Sequence, residues 1–253
     1  MKKELQIFLT AIMFYSRIPV PKNMKHEPDL LNKATRYFPI VGIITGVIAA
    51  AVFYAINYVT NVSVAVIFSM ITSILVTGAF HEDGFADVCD GFGGGWTKEK
   101  ILLVMKDSRV GAYGAIGIVL LLLLKFSLLI ALPVNKIAIV IIAAHTLSRF
   151  FPVVIMLMSN YVRENEDAKA KPLAKKIAAT EALLAFIFAA LPLLLFCQWQ
   201  IITVMLLPLL FTLYLNWYFK KWIGGYTGDC LGAVQQVAEA LIYLSLIILW
   251  KFI

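Results

Sequence analysis

Val62-Ser-Val-Ala-Val-Ile-Phe-Ser-Met-Ile-Thr-Ser-Ile-Leu-Val-Thr-Gly-Ala-Phe80 is an uncharged, mostly apolar run that leads directly into His81-Glu-Asp-Gly-Phe-Ala-Asp-Val-Cys-Asp-Gly-Phe-Gly-Gly-Gly95. The first half has nearly the length of a bilayer-crossing helix, which needs about 20 apolar residues. The second half sets four carboxylates, Glu82, Asp83, Asp87 and Asp90, at the mouth of that span. Clustered acids repel and raise one another's pKa, so a membrane helix has no structural use for them. A solvated acidic loop is the weaker reading. If the helix continues past Phe80, Asp83, Asp87 and Asp90 fall at i, i+4 and i+7 on one face. This oxygen-rich wall suits a hard divalent cation, above all Mg2+ held jointly with substrate phosphates. The run Gly93-Gly94-Gly95 lets backbone N–H groups approach an anion, since no Cβ obstructs them.

Working outward, the chain reads as membrane throughout. Of 253 residues, 61% are hydrophobic and 15% charged, and mean hydropathy is +0.87. Soluble domains lie nearer 45–50% and 25%. Seven spans are expected, at 39–59, 62–80, 112–132, 137–158, 178–196, 201–219 and 231–252. They nearly exhaust the chain, so the expectation is one all-α polytopic bundle over 1–253, with 1–36 as a cytoplasmic or interfacial N-terminal segment. Residues 4–15 read as an interfacial helix stopped by Pro19 and Pro21. Alternate connections hold 18 of the 22 Lys and Arg residues: those before the first span, 98–109, 163–176 and 220–221. The positive-inside rule then puts the N-terminus in the cytoplasm and the C-terminus outside. The same bias explains the net charge of +7 without nucleic acid. Cys89, Cys197 and Cys230 are too few and scattered for a disulfide or zinc framework. Zinc at His81 and Cys89 is set aside because hard carboxylates surround them.

The longer connections, 81–111, 159–177 and 220–230, share the cytoplasmic side, so a soluble substrate is expected from within the cell. Among them, Gly224-Gly-Tyr-Thr-Gly-Asp-Cys-Leu-Gly232 leads into the last span, where Asp229, Gln236 and Glu239 share a face. Glu239 inside that span must be paired or wet. Its expected partner is Arg149, one helical turn from His145, and a structural ion pair weighs equally with a substrate-lining role. Lys125 reads as snorkelling or structurally paired. Gly111, Gly114 and Gly117 read as a close-packing stripe. Residues 163–176 read as a solvated loop, though Lys175 and Lys176 are open to phosphate or lipid.

Five motifs in order carry a resemblance that runs from near the N-terminus to the last span. They are Phe14-Tyr-Ser-Arg-Ile-Pro-Val-Pro21, Arg36-Tyr-Phe-Pro-Ile-Val-Gly42, the 81–95 segment, Met105-Lys-Asp-Ser-Arg-Val-Gly-Ala-Tyr-Gly114 and Gly225-Tyr-Thr-Gly-Asp-Cys-Leu-Gly-Ala-Val-Gln-Gln236. Together they resemble the adenosylcobinamide-GDP ribazoletransferase (cobalamin synthase) family. The resemblance implies a Mg2+-dependent inner-membrane enzyme with a cytoplasmic active face. It would join adenosylcobinamide-GDP to α-ribazole or its 5′-phosphate and release GMP. In that reading Glu82, Asp83, Asp87 and Asp90 hold the metal, and Lys106, Asp107 and Arg109 form the catalytic block. Gly93, Gly94, Gly95, Arg149, Thr227, Asp229 and Glu239 bind substrate. An oligomer is left open. Two other readings stand beside it. One is a membrane phosphotransferase using CDP-activated alcohols, against which the absent Ala-Arg after the first acidic pair counts. The other is a transporter with Arg149 and Glu239 in its pathway, although no internal repeat is visible.

Overall fold

The computed structural model describes residues 3–21, 28–163, 177–196 and 198–252. Among these, helices account for nearly all regular structure, and the single β-bridge joins Tyr161 to Tyr226. The helices are α1 (Lys3–Tyr15), α2 (Pro28–Ala34), α3 (Phe38–Val59), α4 (Val62–Thr77), α5 (Phe80–Gly94), α6 (Lys98–Lys106), α7 (Ala112–Ile130), α8 (Val134–Ser148), α9 (Phe150–Met158), α10 (Ala179–Ala190), α11 (Leu206–Ile223) and α12 (Gly228–Phe252). Five helical stretches among the described residues are long and apolar enough to cross a bilayer, or six if the bent pair α4–α5 counts as one span. The expected seven is therefore not reached. The stretch expected at 178–196 is a shorter apolar helix, Ala179–Leu195, whose end tightens into a 3-10 turn at Leu191–Leu195.

Small residues set the centre of the bundle. A Cβ on Gly42 would lie 2.4 Å from the His145 carbonyl oxygen, and one on Gly46 would lie 2.8 Å from Ile142 Cα. This small-xxx-small pair lets α3 press its backbone onto α8. The stretch comprising α8 and α9 and the stretch α12 are mostly buried, whereas α7 turns Leu120, Leu123 and Leu124 outward. Exposed leucines of this kind match a lipid surround, where no hydrophobic penalty attaches to them.

The helix of the 62–80 span does not continue straight into the acidic segment. Gly78 (φ 71°) and Ala79 (φ 57°) both adopt the left-handed conformation, and α5 leaves α4 at 90°. Glycine takes this conformation freely, while an L-alanine there costs about 1–2 kcal/mol. The surroundings sustain the break. The Arg17 amide donates to Val76 O at 2.7 Å, and the Arg17 side chain fills the space where a Cβ on Gly78 would stand. Helix α5 itself is unbroken from Phe80 to Gly94, so the i, i+4, i+7 spacing of its aspartates is kept although its direction differs. A second interruption separates α8 from α9 at Arg149. Pro152 has no N–H for the Ser148 carbonyl and its ring crowds that turn, which explains the interruption.

Candidate active site

Helix α5 is fixed along its length by close contact and by two of its four acids. On the α12 side, a Cβ on Gly84 would sit 3.0 Å from Asp229 Cα, and one on Gly232 would sit 3.1 Å from His81 O. Near its C-terminal end, Asp90 accepts from the amides of Gly111 (2.7 Å) and Gly114 (2.8 Å). Those amides are orphan donors at the start of α7, where a carboxylate also meets the positive end of the helix dipole. Cβ atoms at 111 and 114 would fall within 2.4 Å of Asp90 oxygens, and one at 117 would strike Cys89 Sγ. The glycine stripe is thus the close-packing device that its spacing predicts. At the other end of α5, Glu82 Oε1 accepts from Gln236 Nε2 at 2.9 Å. Asp83 and Asp87, one turn apart, lie between these two anchored acids; Asp83 is exposed and Asp87 half-buried.

The loop after α6 hangs beside α5 through the same Asp90 bonds, since Gly111 ends that loop. Asp107 grips Arg109 through several hydrogen bonds, the shortest 2.6 Å to Nη2, and also accepts the Arg109 amide at 3.0 Å. The Asp107 carboxylate raises the Arg109 pKa further above its ordinary value, so this guanidinium stays charged. Arg109 is exposed, and Lys106 at the end of α6 faces solvent.

The glycine run does not make the expected anion cradle. Gly93 and Gly94 lie inside the last turn of α5, where amides serve carbonyls one turn back, and the Gly95 amide donates to Gly91 O at 2.9 Å. Their lack of side chains makes room for protein instead: a Cβ on Gly93 would strike the Tyr113 ring, and one on Gly95 would strike Gly91 O and Ile101. Thr227 acts at the start of α12, accepting the Cys230 amide at 3.3 Å, an N-cap arrangement. Asp229 pairs with Arg163 at 2.8 Å, and both are largely buried. Arg163 was expected in a solvated loop; the rest of that stretch, 164–176, lies outside the described residues. A short ladder brings Arg163 inward: Val162 N donates to Tyr226 O and Tyr226 N to Asn160 O, both at 3.0 Å.

Deeper in the bundle, Glu239 does not pair with Arg149. It meets Lys125 at 3.0 Å, Gln235 Nε2 at 2.9 Å, the Tyr243 hydroxyl at 3.1 Å and His145 Nδ1 at 3.5 Å. Because α12 begins at Gly228, Glu239 lies about 16 Å along it. Lys125 turns inward rather than snorkelling, and donates to Gln236 Oε1 at 2.6 Å. A cavity of about 10 Å³ lies beside Glu82, Lys125, His145 and Glu239, room for about one water. Arg149 donates to the His145 carbonyl at 2.5 Å and lies 5.7 Å from the centre of the Phe38 ring, which stacks on His81. Among the described residues no ion pair joins Arg149 to an acid of α5. Sequence reasoning missed Gln235, Ser148, Tyr243 and the Gly42–Gly46 pair; adjacent glutamines in an otherwise apolar span were the available signal.

No group of three His, Cys, Asp or Glu side chains converges into a closed metal cage among the described residues. Two carboxylates on one helix face do fit Mg2+, which keeps several waters and shares its coordination with substrate phosphates. The chain is thus a polytopic bundle of apolar helices whose acidic helix α5 lies beside a loop carrying Arg109, the architecture of an integral membrane protein. Residues 7–247 match the model of the cobalamin-5-phosphate synthase family, and the chain belongs to that family. Proteins named adenosylcobinamide-GDP ribazoletransferase from Shewanella piezotolerans and Shewanella amazonensis are 44% and 45% identical to it. The alignments cover 98% and 99% of this chain, and 96% and 98% of the relatives. A relative of the same name from Leptospira interrogans is 40% identical over all of this chain and 99% of its own length. No solved structure matches the chain.

Proposed function

We propose that this protein joins adenosylcobinamide-GDP to α-ribazole, or to its 5′-phosphate, on the cytoplasmic face of the inner membrane. The observation that supports this most is the placement of Asp83 and Asp87 one turn apart on α5, the helix whose Asp90 holds the loop that follows Lys106 and carries Arg109. A ribose hydroxyl that is free in both acceptors, and so not the 5′ one, attacks the phosphorus next to cobinamide. Its new P–O bond forms as the bond to the GMP oxygen breaks, and the hydroxyl proton leaves to solvent or a base. Such transfer needs positioning and charge stabilisation more than covalent help. Lys106 and Arg109 neutralise charge on the bridging and leaving oxygens. Asp107 holds the Arg109 guanidinium in place, which is a positioning role. Asp83 and Asp87 would hold Mg2+, which when bound polarises the diphosphate and neutralises charge on the leaving group. Arg163, held by Asp229, faces the loop side of α6 and extends the cationic border beyond Lys98 and Lys106. The cytoplasmic orientation rests on the uneven placement of Lys and Arg.

Product analysis tests this reading. Membranes carrying the protein should release GMP only when both adenosylcobinamide-GDP and α-ribazole (or its phosphate) are supplied. CMP release dependent on an alcohol, or uptake of a substrate without covalent change, would point to a different enzyme or to a transporter.

A further inference from the structure

A helix that leaves its predecessor at 90° through two left-handed residues is not held in direction by chain continuity. Something else must fix how α5 presents Asp83 and Asp87. The polar contact at its N-terminal end is a relay through three helices. Lys125 of α7 donates to Gln236 of α12 at 2.6 Å, and Gln236 donates to Glu82 of α5 at 2.9 Å. Lys125 and Gln236 are buried, at 4% and 1% exposure, so neither group is exchanging this bond for bulk water. Lys125 is itself anchored by Glu239 at 3.0 Å, and Gln236 by the Gln235 side-chain oxygen at 2.9 Å. Every polar atom of the Gln236 amide that the relay needs has a defined direction: its oxygen accepts from an ammonium and its nitrogen donates to a carboxylate.

We propose that Glu82 and Gln236, backed by Lys125, are positioning residues that set the direction of α5, and that Glu82 does not ligate the metal. The relay asks of residue 82 only an acceptor oxygen. A ligand role would ask for a negative charge on α5. These two requirements separate under substitution. Glu82→Gln keeps an acceptor for Gln236 and removes the charge. Gln236→Glu removes the donor and sets two acids against each other. The exchange Glu82→Gln with Gln236→Glu restores one donor and one acceptor in reversed order, and leaves Lys125 facing a carboxylate. The proposal rests on the reading of α5 as the reacting face, so it is tested by two readouts, one of them independent of turnover.

The first readout is hydrogen exchange of the α5 amides in purified, detergent-solubilised protein. Gln236→Glu should speed exchange across 80–94, and the exchanged pair should restore protection to near the wild-type rate. The second is steady-state kinetics with adenosylcobinamide-GDP. Gln236→Glu should lower kcat by at least about 10-fold with a smaller change in KM, because misdirected carboxylates affect the reacting geometry more than capture. Glu82→Gln and the exchanged pair should stay within a few-fold of wild type in kcat and in the Mg2+ concentration for half-maximal rate. The proposal is overturned if Glu82→Gln, normally inserted and with α5 still protected, loses activity and the exchanged pair fails to recover it. It is overturned equally if Gln236→Glu leaves α5 exchange unchanged. Should the exchanged pair fail to accumulate in membranes, Glu82→Gln alone decides by the same criteria. Loss of the α5 reading itself would show differently, as full activity in Asp83→Asn with the exchange results unaltered.

Discussion

At the scale of single residues, the same side-chain type performs different work a few positions apart. Asp90 and Glu82 are committed to the amides of α7 and to Gln236, while Asp83 faces solvent. Asp90→Ala should therefore act mainly through structure. Loss of a helix N-terminal acceptor costs about 1–2 kcal/mol, and a lowered unfolding temperature with slowed turnover is expected; Asp90→Asn, which keeps one acceptor oxygen, should fall between the two. Unchanged thermal stability in Asp90→Ala would remove its anchoring role. Lys125→Met leaves the Glu239 carboxylate buried without its cation, a loss of about 3–5 kcal/mol. The protein should then fail to accumulate in membranes, and adding Glu239→Leu should recover part of the yield. The sequence made these acids visible but not their partners. Glu239 was matched to Arg149 because both are intramembrane charges, yet Arg149 and Lys125 lie at similar depth, and only the packing of α7 against α12 selects Lys125. The role of Asp90 depends on which helix start approaches it, and no local pattern encodes that.

At the scale of elements, glycine placement decides which helices touch. Gly42 and Gly46 give α3 its approach to α8, and Gly84 and Gly232 give α5 its approach to α12. Gly46→Leu should destabilise the bundle by at least about 1–3 kcal/mol, since Ile142 backbone occupies the space. Thermal unfolding in detergent measures this, and an unaltered midpoint would contradict the packing account. The acidic face of α5 was legible because a four-residue spacing within one helix survives any change in that helix's direction. The 90° turn before it was not. Gly78 is a visible signal for a left-handed residue, but Ala79 is none, and what sustains it is Arg17 arriving from 59 or more residues upstream in the chain. The glycine run at 93–95 misled for a related reason: glycine permits close approach of any neighbour, and here that neighbour is Tyr113 and the protein backbone rather than a ligand.

At the scale of the whole molecule, the bundle places its acidic helix, its cationic loop and the start of α12 together, and buries its intramembrane charges among themselves. The hydrophobic composition made the all-helical membrane class legible, whereas the number of spans was not, because length and hydropathy do not reveal where a helix bends or ends early. The orientation can be checked by cysteine labelling of sealed cells. Position 97, before α6, should react only with a membrane-permeant reagent, and position 135, at the start of α8, should react with an impermeant one. Labelling of position 97 from outside would reverse the topology and the route of substrate entry. The central claim, that the exposed face of α5 carries the transfer reaction, is tested most directly by GMP release from purified protein titrated with Mg2+. Wild-type protein should show metal-dependent release, and Asp83→Asn and Asp87→Asn should each be slower by on the order of 10^2-fold, about 2.7 kcal/mol of transition-state stabilisation. Undiminished release in either variant, correctly inserted in the membrane, would contradict it.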